Sequence, residues 1–515
     1  MIIENENIND KIKTLDDLES IVQNLKKEGK SVVLCHGVFD GGVHPGHIQY
    51  LSCARKQGDI LIATVTKDEH VERGPGRPVI GEELRAESLG ALQCVDYVAI
   101  NPHRTAVEII QRLRPDVYAK GEEFSKLQDE TGKIKLEIDA IQSVGGKMYF
   151  THGITFSSSS LINNNDSFTL YSKEARDFLK LFKTRYTSDY IHECLKDLAS
   201  MRTVVVGESI IDEYHYCNSM GKSPKENIIP YQFLREERFG GGSVATANNI
   251  AGFCKEVELF SMFGSKSNED NNFLIKNLRS NVTPHIVYAD DRPTIKKRRG
   301  VDSVSYKKLF GQYFLNDTLI DTVLEEKIIE ELKPVVKDSD LVVISDYGHG
   351  FITRRIVNFL SEQGRFLAVN AQTNSANTGF NTIHKYPKAN YVCIDHAEAR
   401  LAVQNRFQPL RTVCDEILRL GEYKKIAITE GHKGSLVYSS EEGYHSIPVF
   451  SQHIVDTMGA GDAYLSLTAP IVARNQPMDL VGFVGNAAGA LAVTTIGNQT
   501  IHPGTLYKLI TTLLK

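Results

Sequence analysis

The chain has 515 residues, of which 41% are hydrophobic and 24% are charged, with 39 glycines and 16 prolines. This is more than three times the ~150 residues typical of one domain, so we expect at least two cores, and the composition excludes disordered, collagen-like and coiled-coil chains. Its 59 basic and 64 acidic residues give a net charge of −5, which excludes bulk attraction to nucleic acid or to an anionic membrane.

The first part of the chain alternates between predicted helices and strands. Apolar residues at helical spacing predict a helix over 15–29, and a short buried strand follows over 31–35. The pattern continues with a helix over 48–57, a strand over 59–65, a helix over 82–94, a strand over 96–100, a helix over 105–113 and a strand over 116–120. This alternation predicts an α/β domain in which helices cover both faces of a parallel sheet.

A polar segment, SSSSLINNNDSF, marks the boundary between two domains because it is the richest turn-forming run in the chain. Residues 171–200 have the pattern of one or two amphipathic helices, and the strand TVVVG after Arg202 opens a second alternating α/β region. We therefore predict a first domain over 1–165, a helical connector over 166–200 and a second domain over 201–515.

The first chemical motif, HPGH, places His44 and His47 around a predicted helix start. Backbone N–H groups at a helix N-terminus attract phosphate, and two imidazoles there can donate hydrogen bonds to a triphosphate. For so short a motif, a pair of surface turn histidines is the other interpretation.

A longer resemblance favours the phosphate site. The stretches GVFDGGVHPGHIQYLSCARKQGDILIATVTKD, GRPVIGEELRAESLGALQCVDYV, RPDVYAKGEEF and FSSSSLI resemble the HxGH nucleotidyltransferases. The similarity is strongest to the adenylyltransferase half of the bifunctional heptose kinase/adenylyltransferases and extends to glycerol-phosphate cytidylyltransferases. It implies a Rossmann-like domain that transfers a nucleoside monophosphate from ATP or CTP to a sugar or polyol phosphate and releases pyrophosphate.

By this resemblance, His44 and His47 are catalytic residues that contact the triphosphate. Because several phosphate charges must be neutralised, further cations are expected around them. The resemblance carries nucleotide or phosphate contacts over to Gly37, Phe39, Lys56, Ser158 and Ser159. Arg73, Arg77 and Lys120 are the further cations, and a solvated surface charge is the other interpretation of these three. The loop ERGPGRP has arginines where relatives often have lysine, which keeps the charge and changes the geometry.

The second motif, DTMGAGDA, lies near the C-terminus and precedes an apolar helical run. Gly459, Ala460 and Gly461 allow consecutive backbone N–H groups to face one anion at a helix start, and Asp462 stands where it can accept a hydroxyl proton. Such a set suits phosphoryl transfer from Mg-ATP, in which the protein mostly supplies alignment and charge stabilisation. A tight turn that caps a helix is the other interpretation.

This motif resembles the signature of the ribokinase/PfkB carbohydrate kinases, and VVVGESIIDEYHY and REERFGGGSVATANNIAGF extend the resemblance toward the heptose-phosphate kinase branch. It implies a ribokinase-like α/β domain with a small β-sheet lid, the use of ATP and Mg²⁺, and Asp462 as the catalytic base. Sugar contacts are carried over to Asp212, Gly241, Gly242 and Asn249. Nucleotide contacts are carried over to Thr429, Gly431, Gly434, Thr457, Gly459, Ala460, Gly461, Asn486 and Gly497.

Four departures from this family bear on the identity of the sugar more than on the reaction type. Ala245 replaces the asparagine of a GGxxN turn, and His349 replaces a lysine of a DYxKG-like turn. Asp395 replaces the asparagine of the NxxE motif, so we expect Asp395 and Glu398 to organise magnesium through water. The transferase also precedes the kinase, which reverses the domain order of the heptose-pathway relatives.

Two phosphate sites in one chain suggest consecutive reactions. We predict a bifunctional enzyme that phosphorylates a sugar, a heptose or heptose 7-phosphate, at the anomeric position and then converts the sugar 1-phosphate to an ADP- or CDP-activated sugar. Two alternatives stay open: a polyol-phosphate cytidylyltransferase fused to its kinase, and a nucleotidyltransferase with a noncatalytic sugar-sensing domain.

The remaining signals concern partners and location. We interpret the basic cluster over 296–299 as a sugar-phosphate contact rather than a nucleic-acid site, since it has no interleaved aromatics. Alternation over 226–239 and 295–315 is compatible with a lid through which such kinases dimerise, so we expect a homodimer or a higher homo-oligomer. Eight scattered cysteines, a polar N-terminus and the lack of a long apolar stretch predict free thiols in a cytoplasmic protein with no membrane partner.

Overall fold

The computed structural model describes residues 10–72, 75–121, 133–151, 171–265, 269–451 and 453–515. The chain forms two compact units, one that ends at Ser172 and includes Tyr507–Lys515, and one formed by Lys173–Leu506. The units differ from the predicted domains in two respects. The helices of the predicted connector belong to the second unit, and the C-terminal residues group with the first.

A five-stranded sheet organises the first unit. Its described helices are α1 (Leu15–Lys27), α2 (Pro45–Arg55), α3 (Glu82–Gly90), α4 (Val107–Leu113) and α5 (Lys133–Ser143). Its strands are β1 (Val32–Gly37), β2 (Ile60–Thr66), β3 (Tyr97–Asn101), β4 (Val117–Gly121) and β5 (Lys147–Thr151). The strand order is β3-β2-β1-β4-β5 and every pair is parallel. Because the order reverses beside β1, the carboxyl ends of β1 and β4 border the crevice where doubly wound sheets bind ligands.

Alternate residues of β1 supply the two apolar layers of this unit. Val32 and Leu34 pack in one buried cluster with Leu18 of α1, and Val33 packs in the other with Leu51 of α2. This two-residue period follows from strand geometry and explains why residues 32–35 of β1 are all apolar. The predicted α/β class with a Rossmann-like sheet is confirmed. Among the helices of this unit, α2 differs most from its predicted start, since it begins at Pro45 and not at residue 48.

The second unit contains a nine-stranded and a four-stranded sheet. Its helices are α6 (Lys173–Phe182), α7 (Ser188–Asp197), α8 (Ser243–Ile250), α9 (Glu269–Lys276), α10 (Thr322–Asp338), α11 (Arg354–Gln363), α12 (His396–Ala402), α13 (Leu410–Leu418), α14 (Ala460–Ala473) and α15 (Met478–Ala492), and α16 (Pro503–Leu514) ends the chain. Its strands begin with β6 (Arg202–Gly207), β7 (Ser209–Ser219), β8 (Tyr231–Gly242), β9 (Glu256–Phe263), β10 (Val282–Tyr288), β11 (Lys296–Asp302) and β12 (Lys308–Phe314). They continue with β13 (Leu341–Asp346), β14 (Leu367–Ala371), β15 (Lys388–Asp395), β16 (Glu422–Thr429), β17 (Ser435–Ser439) and β18 (Gly443–Ile447).

The nine-stranded sheet has the order β10-β9-β6-β13-β14-β15-β16-β17-β18, and only its pairs that include β17 are antiparallel. The four-stranded sheet has the order β12-β11-β7-β8. It starts directly after β6, because only Glu208 separates β6 from β7. The smaller sheet therefore leaves from the carboxyl end of the larger one, and we call it the lid; the predicted ribokinase-like class with a small lid is confirmed.

Aromatic packing joins α6 and α7 to the second unit. The rings of Phe182 and Phe483 stack with centroids 4.4 Å apart. The Tyr186 hydroxyl donates a hydrogen bond of 2.9 Å to Oδ1 of Asp479. Since α15 contributes both Phe483 and Asp479, these helices are part of a packed core and do not form a tether.

Two sequence predictions about the whole chain can be compared with the structure. All eight cysteines are free, as predicted. Within the described ranges, the helices lack the combination of length and apolar character that a bilayer crossing requires.

Candidate active sites

The turn after β1 brings two histidines to the start of α2. Phe39 has a φ of 52°, and Gly41 and Gly42 have φ of 76° and 84°, so three residues within four positions adopt left-handed backbone. His44 is the N-cap of α2 and Pro45 is its first residue. The predicted residues Gly37, Phe39, His44 and His47 therefore lie together at a helix N-terminus, where unbonded N–H groups favour an anion.

The two imidazoles stack on each other. The ring centroids of His44 and His47 are 3.7 Å apart with an interplanar angle of 24°, and Phe39 contacts His47 edge-on at 5.1 Å. Burial lowers the pKa of His44. The histidines are therefore suited to directional hydrogen bonding with phosphate oxygens.

Arg77 is buried and stabilises the turn after β1 through an ion pair with Asp40. Its Nη1 lies 2.8 Å from Oδ2 of Asp40, and both side chains are fully buried. The other oxygen, Oδ1 of Asp40, accepts the N–H groups of Val79 at 2.7 Å and Gly41 at 2.9 Å. The ion pair uses Nη1 of Arg77 and shapes the phosphate turn, and the predicted phosphate contact at Arg77 stays a prediction.

Two of the other predicted cations, Lys120 and Lys56, lie in the described part of the chain. Lys120, at the end of β4, ion-pairs with Oε2 of Glu137 at 3.1 Å. Lys56 is exposed at the C-terminal end of α2, on the order of 13 Å along the helix from His47 at about 1.5 Å per residue. The predicted phosphate contact at Lys56 is therefore corrected to an exposed helix end. The predicted residues Arg73, Ser158 and Ser159 lie outside the described residues.

In the second unit, a glycine turn precedes α14. Gly459 has a φ of 79°, and a Cβ there would collide with the side chain of Asn498. The predicted nucleotide contacts Thr457, Gly459, Ala460 and Gly461 all lie in this turn. A small cleft opens at the turn and is lined by Ala245, Asn249, Met458, Gly459, Ala492, Gly497, Asn498, Gln499 and Thr500. The predicted sugar residue Asn249 and Ala245, which departs from the family pattern, therefore line the same cleft as the glycine turn.

Asp462 lies in the first turn of α14 and is buried. Its Oδ1 accepts hydrogen bonds from the Tyr347 hydroxyl at 2.7 Å and from Nε2 of Gln372 at 3.1 Å. Burial raises the pKa of Asp462 to about 6, while the bond from Tyr347 acts in the opposite direction. A carboxylate with a pKa just below neutral is well matched to general-base catalysis at physiological pH.

Asp212 faces the same region from β7. Its Oδ1 lies 2.5 Å from Nη1 of Arg299, and its Oδ2 accepts a hydrogen bond of 2.8 Å from Nδ2 of Asn498. A Cβ at Gly241 would collide with this carboxylate. Gly242, with a φ of 63°, turns the chain into α8. The predicted sugar residues Asp212, Gly241 and Gly242 are therefore neighbours.

The basic cluster of β11 is divided between the two faces of the lid. Lys297 and Arg299 are buried on the face of Asp212. Lys297 Nζ lies 5.8 Å from the ring centroid of Tyr347. Burial lowers the pKa of Lys297, and Asp212 opposes that shift. This half of the cluster faces the carboxylates of the second site.

The other half faces away from that site. Lys296 Nζ lies 2.9 Å from Oδ2 of Asp270, and Arg298 pairs with Glu213. Because successive side chains of a strand point to opposite faces, four consecutive cations are split into two pairs with different partners.

The predicted nucleotide residue Thr429 ends β16, and the loop after it contains Gly431 and Gly434. Gly434 has a φ of 99°, and a Cβ there would collide with the carbonyl of Ile447. The amide Nδ2 of Asn486 donates to the carbonyls of Ile447 at 2.9 Å and Pro448 at 3.0 Å. The amide nitrogen of Asn486 is thus bonded to the backbone, and the predicted nucleotide contact at Asn486 stays a prediction.

The motif read as a magnesium site forms a helix cap. Oδ1 of Asp395 accepts the N–H of Ala397 at 2.8 Å, and Oε2 of Glu398 accepts the N–H of Asp395 at 2.8 Å. Oε1 of Glu398 accepts the N–H of Thr373 at 3.1 Å. Burial raises the pKa of Glu398 to about 8. Asp395 and Glu398 therefore do not fit a magnesium site, and we assign them to a capping box.

Glu208 and Tyr347, which the sequence analysis did not select as site residues, meet at the turn after β13. Glu208 is fully buried and accepts the N–H groups of Tyr347 at 3.0 Å and His349 at 3.1 Å. His349 is also buried, with Nδ1 2.7 Å from Oδ1 of Asp317, and burial lowers its pKa. These partners are distant in sequence, so no local pattern identifies them. The only available signal was that polar residues follow a buried parallel strand.

One further carboxylate connects the lid to the glycine turn. Asp456 accepts hydrogen bonds from the Tyr214 hydroxyl at 2.6 Å and Lys308 Nζ at 2.7 Å, both in the lid. It also accepts the N–H groups of Met458 at 3.0 Å and Gly497 at 3.2 Å. The predicted residue Gly497 is therefore part of the support of the turn.

Together, these features define two classes of domain: a nucleotidyltransferase-like domain with a histidine pair and a sugar-kinase-like domain with a lid, a glycine turn and a buried aspartate. Comparison with known families agrees with both. Residues 201–504 match the family model of the pfkB family carbohydrate kinases, and residues 34–165 match the cytidylyltransferase-like family. Because the first match spans more than half of the chain, the protein belongs to the pfkB family of carbohydrate kinases.

Curated relatives match the N-terminal, cytidylyltransferase-like part of the chain. The bifunctional protein HldE of Syntrophotalea carbinolica is 37% identical over 140 residues, and HldE of Geobacter sulfurreducens is 39% identical over 140 residues. Each alignment covers 27% of this chain and 27% of the relative. The aligned segment thus spans about a quarter of the length of the relatives it matches.

Solved structures of sugar kinases are also similar. Phosphofructokinase-2 from Escherichia coli in complex with fructose-6-phosphate is 18% identical, with a TM-score of 0.49, and the match covers 60% of this chain and 98% of that one. Ribokinase from Thermotoga maritima is 18% identical, with a TM-score of 0.46, and the match covers 59% of this chain and 98% of that one.

Proposed function

We propose that the protein is a bifunctional enzyme that phosphorylates a sugar at the anomeric hydroxyl and then transfers a nucleoside monophosphate to the sugar 1-phosphate. The observation that supports this best is the presence, in separate compact units, of two helix starts that suit phosphate. One has the stacked pair His44 and His47, and the other has Asp462 beside a glycine turn. The products are an ADP- or CDP-activated sugar and pyrophosphate.

In the phosphoryl transfer, the acceptor hydroxyl attacks the γ-phosphorus of ATP. Asp462 takes the hydroxyl proton, the new P–O bond forms, and ADP leaves. The first N–H groups of α14 stabilise the charge on the transferred group. Mg²⁺ accompanies the nucleotide and neutralises its phosphates, and we assign no side chain of this chain to it.

In the nucleotidyl transfer, the phosphate of the sugar 1-phosphate attacks the α-phosphorus, and pyrophosphate leaves. The nucleophile is already ionised, so this step needs charge stabilisation and alignment rather than a base. His44, His47 and the N-terminus of α2 would supply hydrogen bonds to the triphosphate.

The sugar is proposed to be a heptose or a heptose 7-phosphate. The support is the resemblance of the kinase segments to the heptose-phosphate branch together with the match of the first unit to HldE proteins. The two cations Lys297 and Arg299, which face Asp212, suit a substrate with an anionic group.

The test is a coupled assay on the full-length protein. ATP or CTP is combined with heptoses, heptose 7-phosphates and polyol phosphates, and ADP and pyrophosphate release are followed separately. We expect ADP release with a heptose substrate and pyrophosphate release after it. Pyrophosphate release from CTP and a polyol phosphate would favour the fused cytidylyltransferase, and no release of either product would reject the proposal.

A sugar-sensing role for the second unit is the other candidate function. The departures at Ala245 and His349 favour it, and the buried Asp462, held by two donors, argues for catalysis instead. Sugar binding without phosphoryl transfer would select the sensor.

A homodimer through the lid is proposed as the assembly, in a cytoplasmic protein. Large apolar side chains are exposed on the lid face of Lys296 and Arg298, among them Phe233, Phe310 and Phe314. Light scattering on Phe233→Asp should give a monomer if this face forms the dimer.

A further inference from the structure

Asp462 is held through one of its two carboxylate oxygens. The hydroxyl of Tyr347 and Nε2 of Gln372 both donate to Oδ1, and neither bond involves Oδ2. A base must keep one oxygen available for the proton it takes. The two donors therefore distinguish the oxygens, leaving Oδ2 for the substrate.

The proton of the Tyr347 hydroxyl is committed to Asp462. Oγ of Ser345 donates to the same hydroxyl oxygen at 3.3 Å, so that oxygen accepts one bond and uses its single proton for the other. Tyr347 is buried, and burial raises its pKa well above the usual value. The phenol thus stays protonated over the range in which Asp462 titrates.

The backbone of Tyr347 is clamped from two sides. Glu208 accepts its N–H at 3.0 Å, and the amides of Asn374 and Asn377 donate to its carbonyl at 2.9 Å and 2.8 Å. A residue fixed at its N–H, its carbonyl and its hydroxyl has little freedom to move. Its ring can therefore set the orientation of the carboxylate that it contacts.

We propose that Tyr347 is a positioning residue for the phosphoryl transfer, which rests on the proposed kinase function: it fixes Oδ1 of Asp462 so that Oδ2 faces the acceptor hydroxyl. A hydrogen bond to the ionised carboxylate also favours that form. Tyr347 thereby extends the activity of the base toward lower pH.

The test is the pH profile of phosphoryl transfer by Tyr347→Phe. Wild-type kcat/KM should fall as the pH drops through about 6, because Asp462 becomes protonated. In the variant we expect this acidic limb to move up by about one pH unit, since a hydrogen bond to a charged group is lost. The other titratable groups facing Asp462 are Asp212 of β7, Lys297 of β11, Cys393 of β15 and Glu398 of α12, and all of them are unchanged.

Tyr391→Phe is the matched control. Tyr391 is also fully buried, and its hydroxyl donates to Oγ1 of Thr468 at 2.9 Å, away from the carboxylate. This variant should keep the wild-type acidic limb. If Tyr347→Phe does not fold, Gln372→Leu removes the other donor to Oδ1 and should shift the limb in the same direction.

The outcomes separate two failures. A wild-type enzyme that phosphorylates none of the sugars overturns the proposed function. If the wild type is active, an unmoved acidic limb in Tyr347→Phe, or an equal loss at every pH, overturns the positioning role alone. In the fallback variant, an unmoved limb has the same meaning.

Discussion

The two candidate sites use the same backbone device with different side chains. Each places a helix N-terminus against an expected phosphate, at α2 in the first unit and at α14 in the second. The first adds stacked imidazoles, and the second adds a buried carboxylate with a pKa of about 6. A sugar phosphate arrives ionised, whereas a sugar hydroxyl must lose a proton. The comparison teaches that the helix start provides the anion site and the added side chain decides which nucleophile can react.

Replacing the carboxylate should have the largest effect. Asp462→Asn keeps an oxygen that can accept the Tyr347 bond but removes the base, so kcat of phosphoryl transfer should fall about 10³-fold. Nucleotidyl transfer from a supplied sugar 1-phosphate should be unchanged. ADP and pyrophosphate release measure the two reactions, and calorimetry should still detect sugar binding. Turnover at the wild-type rate would contradict the role of Asp462 as base.

The histidine pair gives the reciprocal experiment. His47→Ala should lower nucleotidyl transfer by about 10²-fold, the cost of removing one donor to a developing charge, while phosphoryl transfer persists. His103→Ala is a control in the same unit outside the β1–α2 turn. Loss of both activities in His47→Ala would mean that the two sites do not act independently.

Replacing one lysine on each face of β11 tests whether the two halves of the basic cluster have different roles. Lys297→Ala should raise KM for a phosphorylated sugar about tenfold, because a buried cation that faces the site is lost. Lys296→Ala removes the same charge from the opposite face of the strand and should change KM by less than about twofold. Equal effects of the two variants on KM would exclude a role that depends on the face.

The helix cap predicts the smallest change. Glu398→Gln places an amide nitrogen against one of two backbone N–H groups, so we expect a loss of about 1 kcal/mol and a Tm lower by about 2 °C. The Mg²⁺ concentration required for half-maximal phosphoryl transfer should stay the same, as in the exposed control Glu362→Gln. A tenfold higher Mg²⁺ requirement in Glu398→Gln would show that Glu398 takes part in Mg²⁺ binding.

Local patterns predicted most of the fold because strands and helices of an α/β domain are specified by residues close in sequence. The β1–α2 turn was predictable for the same reason, as glycines, proline and histidines lie within a few positions. The phosphate contact predicted at Lys56 did not take account of the rise of α2, which separates Lys56 from His47 although the two are near in sequence. The magnesium site predicted at 395–398 is not found there, because an acidic pair at this spacing also fits a capping box.

The residues around Asp462 could not be predicted in that way. Tyr347 lies 115 residues from Asp462, and Glu208 lies 139 residues from Tyr347. Their contacts arise only when β6 and β13 pair as neighbours in the larger sheet. A single sequence contains no local period that reports such a pairing.

Asp456 gives the lid and the glycine turn a common anchor. Tyr214 and Lys308 reach it from the lid, and the N–H groups of Met458 and Gly497 reach it from the turn and its neighbour. Any swing of the lid must therefore break bonds to the carboxylate that keeps the turn in shape. Movement of the lid and the conformation of the glycine turn are therefore coupled through Asp456.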